Sequence, residues 1–176
     1  MKTSFEHPQN KSNIYCIMDP CHMLKLARNT VAETNVTSQA GFVSFNYIAK
    51  LHTIQEEADL KFANKLSYNH INFKNKKMNV RLAAQVLSST VADAIDFLRE
   101  SGDKNFINSE ATTEFIRVID RLFDMMNTRN SFGTGFKSPM MINNLELFKQ
   151  FFDYSITYIS GLKINGINIF VKYLLF

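Results

Sequence analysis

The sequence predicts a mainly α-helical protein in which a helical body follows one short strand and one short helix of α/β type. Residues 14–18 form a continuous apolar run that Asp19-Pro20 ends, as expected of a strand buried on both faces. Beyond residue 43, apolar residues recur at intervals of three and four, the spacing of one buried helix face. The chain has 176 residues, 45% of them hydrophobic, which suffices for one folded domain with a core.

Composition excludes several classes of protein. Only two cysteines, Cys16 and Cys21, argue against a disulfide-stapled secreted scaffold, so a cytoplasmic or nuclear location is expected. The N-terminus has no apolar signal-peptide core. Residues 156–176 are the most apolar segment, but lysines and asparagines interrupt them, so no membrane partner is predicted. The net charge of +4 favours an anionic partner.

The periodicity places the elements in order. A strand is predicted over 13–18 and a helix over 20–28, with Asp19 as its N-cap. A polar loop over 29–41 should follow. Further helices are predicted over 45–57, 78–98, 109–127 and 145–159, with a glycine-containing loop over 130–139. Residues 167–176 are the remaining candidate partner strand, so the first strand should belong to a sheet that the chain supplies only in part.

A basic stretch free of acidic residues runs from residue 60 to residue 92. Its six basic residues are Lys61, Lys65, Lys74, Lys76, Lys77 and Arg81. Phe62, Tyr68, His70 and Phe73 lie among them. Basic groups attract phosphate and flat rings stack on bases, which suits a nucleic acid or a nucleotide. The alternative, favoured by composition alone, is a solvated basic surface whose aromatic side chains turn into the core.

Two polar constellations could carry function. Asp120, Asp124 and Asn127 share one face of the helix predicted over 109–127. A carboxylate can accept two hydrogen bonds from guanine, and an amide can serve a carbonyl or a ribose hydroxyl. The alternative is the polar face of an amphipathic helix. Asp19 follows a strand, where α/β folds place ligand and catalytic groups, but it could equally be only a helix cap.

Two apparent motifs are rejected. Cys16, Cys21 and His22 lack the four ligands and close pairs of a zinc site. The segment Gly133–Ser138 is not a phosphate-binding P-loop, because Phe136 separates the last glycine from Lys137 and a helix precedes it.

Three ordered blocks of sequence resemble the P-element family of DNA transposases, including its THAP-domain relatives. The first is MDPCHMLKLARN over 18–29. The second, over 63–88, contains ANKL, HI, KM and VRLAAQVLS. The third, over 110–130, contains EAT, FIR, FD and NTRN, and GFK at 135–137 follows with Pro139. Together the blocks cover most of the chain from residue 15 to about residue 162.

The resemblance implies a helical GTP-binding insertion domain attached to a strand–helix fragment of an α/β ribonuclease-H-like core. It assigns residues 1–42 to the core, 43–163 to the insertion domain and 164–176 to a divergent or truncated tail. Asp19 matches the second acidic residue of the catalytic triad, which binds Mg²⁺ in a complete core. One carboxylate cannot position two metal ions. We therefore expect a truncated transposase that does not cleave DNA by itself.

The resemblance also implies a set of GTP contacts. Asp59 looks like a guanine-reading carboxylate, Lys65 like a phosphate or stacking contact, Val80 and Ser88 like pocket positions, and Asp124 and Asn127 like base or ribose contacts. Asn79 stands where a lysine is expected. In such proteins, unhydrolysed GTP helps engagement of transposon-end DNA in the nucleus, and self-association is left open. The alternatives are a GTP-independent nucleic-acid-binding module or a non-functional remnant of a transposase gene.

Overall fold

The computed structural model describes residues 4–59, 62 and 65–168. Within them, helices make up the body of the protein. They are α1 (Pro20–Glu33), α2 (Phe45–Glu57), α3 (Tyr68–Ile71), α4 (Val80–Val86), α5 (Ser89–Glu100), α6 (Glu110–Met126) and α7 (Leu145–Gly161). The predicted fold class, mainly α with a small strand segment, is confirmed. None of the described helices is both long and apolar enough to span a bilayer.

Two small antiparallel sheets accompany the helices. In the first, β1 (Ser4–Glu6) pairs with β2 (Asn13–Tyr15). The second contains β3 (Val36–Ser38), β4 (Gly41–Val43), β5 (Lys163–Ile164) and β6 (Ile167–Asn168), in the order β4-β3-β5-β6. In β3 the pairing joins Val36 to Val43 on one side and to Ile164 on the other.

The prediction of a doubly buried strand over 13–18 is wrong for the described residues. β2 ends at Tyr15, and the side chains of Tyr15 and Ile17 are 70% and 82% exposed. The physical reason is that β2 pairs with β1 in a two-stranded hairpin, which leaves Asn13 and Tyr15 exposed and Ile14 only half-buried. The candidate partner strand at 167–176 also pairs differently, because β6 joins β5; residues 169–176 lie outside the described residues.

Helix α1 begins where the sequence predicts and ends later. The carboxylate of Asp19 accepts hydrogen bonds from the backbone N–H groups of Cys21 (3.0 Å) and His22 (3.1 Å). The helix continues past the predicted end at residue 28 to Glu33, because Leu24, Arg28 and Val31 form a buried face. The predicted loop over 29–41 is therefore wrong, and this segment contains the last turn of α1 and most of the β3–β4 hairpin.

The core is formed mainly between α5 and α6, with α1 and α2 packed against them. Its fully enclosed side chains include Ile48, Leu51, Val86, Val91, Ile95, Phe106 and Ile116. Helices α2, α6 and α7 lie where their apolar periodicity predicts them. Leu24 and Val31 of α1 lie in the same hydrophobic cluster as these residues. The segment preceding the predicted insertion domain is thus packed into one core with it, and the boundary at residues 42 and 43 stays a prediction.

The single helix predicted over 78–98 is two helices, α4 and α5. Helix α4 ends at Val86 with Leu87 as its C-cap, and Ser88 adopts an extended backbone, with φ −97° and ψ 149°. Ser88 Oγ donates to the carbonyl of Gln85 at 3.0 Å, so a side chain replaces part of the helical hydrogen bonding. Serine side chains compete with the backbone in this way, and two consecutive serines end one helix and begin the next.

Candidate functional site

The second half of α6 carries the polar side chains that the sequence places on one face, and Asp120 joins this part of the helix to α5. The carboxylate of Asp120 accepts hydrogen bonds from Ser89 N (2.9 Å) and Ser89 Oγ (2.5 Å). Ser89 is the first residue of α5, where unpaired N–H groups and the helix dipole favour a negative charge. Asp120 therefore caps α5 from a neighbouring helix and fixes the two helices relative to each other.

Asp124 lies one turn further along α6 and is half-buried. Its Oδ2 atom is 3.5 Å from Nζ of Lys137. Burial raises the pKa of Asp124 above its usual 3.8, the nearby charge of Asp120 raises it further, and Lys137 opposes both effects. The carboxylate is thus held in a setting that disfavours its charge, which a ligand donating hydrogen bonds would relieve.

Three of the predicted contact residues lie near this site. Asp124 is on α6, and Asn127 ends that helix, with its backbone N–H donating to Phe123 O at 2.9 Å. Ser88 directly precedes Ser89, which Asp120 contacts. The hydroxyl of Ser88 is 2.9 Å from that of Thr90. The contact between Asp120 and Ser89 thus brings Ser88 to the junction of α5 and α6, while Asp124 and Asn127 lie further along the α6 chain.

Val80 lies at the opposite end of α4, beside α1. There Nη2 of Arg28 donates to the carbonyl of Lys77 at 2.8 Å, and Lys77 forms an ion pair with Glu33. Asn79, in the position where the resemblance expects a lysine, caps α4 by accepting a hydrogen bond from Leu82 N at 3.0 Å. Val80 and Ser88 are thus separated by the length of α4.

Asp59 and Lys65 are exposed and border a segment of which residues 60, 61, 63 and 64 lie outside the described residues. Asp59 has a positive φ of 48° at the end of the α2 region. The contacts described for the chain do not connect either residue to Asp124. Their roles as a guanine-reading carboxylate and as a phosphate contact stay predictions.

The aromatic residues of the basic stretch are divided between core and surface. Phe73 is buried, with the guanidinium of Arg28 3.9 Å from its ring centre. His70 is also buried: Ser67 N donates to its Nδ1 at 3.0 Å, and its Nε2 is 2.9 Å from Gln85 Oε1. Tyr68 is 69% exposed. The alternative of inward-turned rings therefore holds for Phe73 and His70, while Tyr68 remains accessible.

Asp19 is placed as a helix cap, with both carboxylate oxygens engaged by backbone N–H groups. Among the residues that the structure describes, His, Cys, Asp and Glu side chains form no group of three or more that could hold a metal ion. The side chains around Asp19 therefore do not fit a two-metal site on their own. Its assignment to a catalytic triad and to Mg²⁺ stays a prediction.

Lys137 is a residue near Asp124 that the sequence did not assign to the site. It lies in a 3₁₀ turn, Gly135–Lys137, within the predicted glycine-containing loop. Phe136 packs on Phe151 of α7, with 4.7 Å between the ring centres, and the guanidinium of Arg121 of α6 lies 5.4 Å from the Phe136 ring centre, so the loop contacts both helices. The GFK string was visible in the sequence, but the packing that directs it towards Asp124 was not.

These features define a helical domain carried on a short strand–helix segment, with a polar site between two of its helices. A sequence profile of the family described as "TNP-like, GTP-binding insertion domain" matches residues 21–139. The chain belongs to this family.

Two relatives and a solved structure confirm the resemblance to P-element transposases. The chain is 32% identical over 143 residues to the human DNA transposase THAP9, covering 80% of this chain and 16% of that protein. It is 29% identical over 132 residues to the Drosophila melanogaster transposable element P transposase, covering 74% and 17%. The Drosophila P element transposase strand transfer complex matches with a TM-score of 0.80 and 25% identity, over 90% of this chain and 36% of that chain. The chain thus spans only a small part of these relatives.

Proposed function

We propose that this chain binds GTP at the junction of α5 and α6 and that the bound nucleotide assists engagement of transposon DNA. The observation that supports this most is the match to a GTP-binding insertion domain family over residues 21–139, a range that contains the whole junction. The names of the relatives, both transposases, support DNA as the second partner. Since DNA is the proposed partner, we propose the nucleus as the place of action.

The groups at the junction suit a guanine nucleotide. The carboxylate of Asp124 can accept hydrogen bonds from two adjacent guanine N–H groups, or from the ribose hydroxyls. The amide of Asn127 and the hydroxyl of Ser88 can serve the guanine carbonyl and the sugar. Because burial raises the pKa of Asp124, hydrogen bonds from a ligand would stabilise its charged form where solvent cannot.

We further propose that this chain does not cleave DNA on its own. Asp19 caps α1, and the described residues around it supply no second and third carboxylate. Phosphodiester chemistry by a two-metal mechanism needs several carboxylates to hold both ions. Mg²⁺ would therefore bind only in a complete catalytic core, and metal-dependent nicking by the purified chain would overturn this part of the proposal.

Calorimetric titration with GTP, ATP and XTP tests nucleotide binding. Asparagine in place of a guanine-reading aspartate presents an N–H group where xanthine has a carbonyl, so such a variant should prefer XTP. Asp124→Asn and Asp59→Asn are compared with the wild-type chain. The exposed Asp153 of α7 provides a matched control, Asp153→Asn.

The wild-type chain should prefer GTP. The variant at the base-reading position should lose about tenfold or more in GTP affinity and gain XTP binding, since a hydrogen bond to a charged group contributes about 1.5–3 kcal/mol. A loss for GTP and XTP alike in Asp124→Asn would assign this carboxylate to the ribose. A folded wild-type chain that does not bind GTP at millimolar concentration would contradict the proposal.

The exposed ring of Tyr68 favours a second candidate function, GTP-independent binding of nucleic acid. Tyr68 lies close in sequence to the exposed Lys74 and Lys76, which combines a stacking platform with positive charge. This function would give DNA binding that weakens steeply with salt, ignores GTP and falls in Tyr68→Ala. DNA binding that depends on GTP and is unchanged in Tyr68→Ala would exclude it.

A further inference from the structure

We infer that Lys137 is a further nucleotide-binding residue, whose ammonium group leaves Asp124 to contact the phosphates of the bound nucleotide. The inference rests on the proposed function, because it assigns an additional role within the same site. Neither the predicted contacts nor the family description includes Lys137.

The charge of the predicted site favours a further cation. The six predicted contact residues contain two carboxylates, Asp59 and Asp124, and one ammonium group, Lys65. This set is net negative, whereas the phosphate chain of a nucleotide carries several negative charges. An anionic ligand beside two carboxylates needs more than one positive group to offset their repulsion. The structure places Lys137 at the half-buried one of these carboxylates, with 3.5 Å between Nζ and Oδ2 of Asp124.

The loop that carries Lys137 is held in place by contacts on both sides. A Cβ atom at Gly133 would lie 1.9 Å from the carbonyl oxygen of Lys137, so the turn closes only with glycine there. Phe136 packs against Phe148 and Phe151, with ring centres 6.0 Å and 4.7 Å apart. The amide of Asn144 donates to Pro139 O at 3.0 Å and to Ser138 Oγ at 3.2 Å. These contacts therefore fix the backbone of Lys137, whereas its side chain can change conformation.

The ion pair between Lys137 and Asp124 does not by itself explain why the loop holds Lys137 beside this carboxylate. Lys137 is 68% exposed, and ion pairs at such exposure contribute little to folding stability. A lysine ammonium group is a compact charge on a flexible four-carbon chain, suited to moving between a carboxylate and a phosphate. With the base or ribose at Asp124, the phosphate next to the ribose would come within reach of Nζ.

The test compares nucleotides with and without phosphate on the full chain. Calorimetry measures the affinity of the wild-type chain, Lys137→Met and Lys137→Arg for GTP and for guanosine, at two salt concentrations. Lys104→Met is the matched control, because Lys104 is an exposed lysine that also lies in a 3₁₀ turn. Thermal melting confirms that each variant is folded.

Lys137→Met should lower GTP affinity about tenfold, equivalent to about 1.4 kcal/mol, and leave guanosine affinity within about twofold. Lys137→Arg should retain most of the affinity because it keeps the charge, and the salt dependence of GTP binding should weaken in Lys137→Met. Equal losses for GTP and guanosine, or an unchanged GTP affinity, would overturn the inference alone. A wild-type chain that binds neither ligand would overturn the proposed function together with it.

Discussion

The carboxylate of Asp120 connects folding stability to the candidate site, and its removal gives a measurable prediction. Asp120→Ala deletes both hydrogen bonds to Ser89 and takes the negative charge away from the first turn of α5. The Ser89 N–H group then remains half-buried at a helix terminus that no longer has its capping acceptor. We expect the variant to fold with lower stability and with α5 less firmly held against α6.

The magnitude follows from the two bonds. Loss of an N-capping carboxylate costs about 0.5–2 kcal/mol, and because Asp120 accepts from both the N–H and the hydroxyl of Ser89, the upper end applies. For a chain of this length each kcal/mol shifts the melting temperature by about 2–4 °C, so Asp120→Ala should melt about 4–8 °C lower. Ser89→Ala removes only the hydroxyl bond and should lose about 1 kcal/mol.

Thermal and urea unfolding of the wild-type chain, both single variants and the double variant measure the coupling between these residues. The cycle should give an interaction free energy of about 1 kcal/mol, since either substitution abolishes the hydroxyl–carboxylate bond. Asp153→Ala, an exposed aspartate of α7, should change stability by no more than about 0.5 kcal/mol. An Asp120→Ala variant melting within about 1 °C of wild type, or strictly additive losses, would refute the capping argument.

Two further predictions concern other carboxylates. Because the pKa of Asp124 is raised above 3.8 in the folded chain, its ionisation lowers stability as pH rises through that pKa. Asp124→Asn should therefore melt higher than wild type at pH 7, with the gain shrinking as pH falls towards 4 in a melting series; a pH-independent difference would contradict it. Asp19→Ala should lose about 1 kcal/mol in urea unfolding and Asp19→Asn much less, because asparagine also caps helices. Equal losses in both variants would mean that charge, not capping, matters there.

The sequence predicted those elements whose signals are local. Helix α6 follows from a long apolar periodicity, and the start of α1 follows from Asp19 next to Pro20. The break between α4 and α5 was missed because apolar spacing continues across it, although Ser88 and Ser89 offer side-chain hydrogen bonding that competes with the helix. The prediction of a buried strand over residues 14–18 was wrong because an apolar segment becomes buried only where other elements of the fold cover it. Most of these apolar residues are exposed because no such elements cover them among the described residues.

The β5–β6 hairpin was overlooked although its turn carries recognisable residues. Asn165 and Gly166 both have positive φ, 51° and 79°, as a tight two-residue hairpin turn requires. For the site, spacing placed Asp120, Asp124 and Asn127 on one helix face. It could not show that Asp120 contacts Ser89, 31 residues away, or that Lys137 reaches Asp124, because both contacts depend on tertiary packing.

The pairing of β3 with β5 has a topological consequence. Asn165 N donates to Asn35 O at 2.9 Å, so two positions that are 130 residues apart in the sequence are adjacent in the structure. When the first and last residues of a segment are adjacent in space, the segment can be inserted at one surface position of a host protein. Such an insertion does not force the host's flanking strands apart. The same geometry would tolerate circular permutation or transplantation into an unrelated scaffold. Among the described strand pairings, β3–β5 closes the longest loop, so its formation is expected to be an entropically late step of folding.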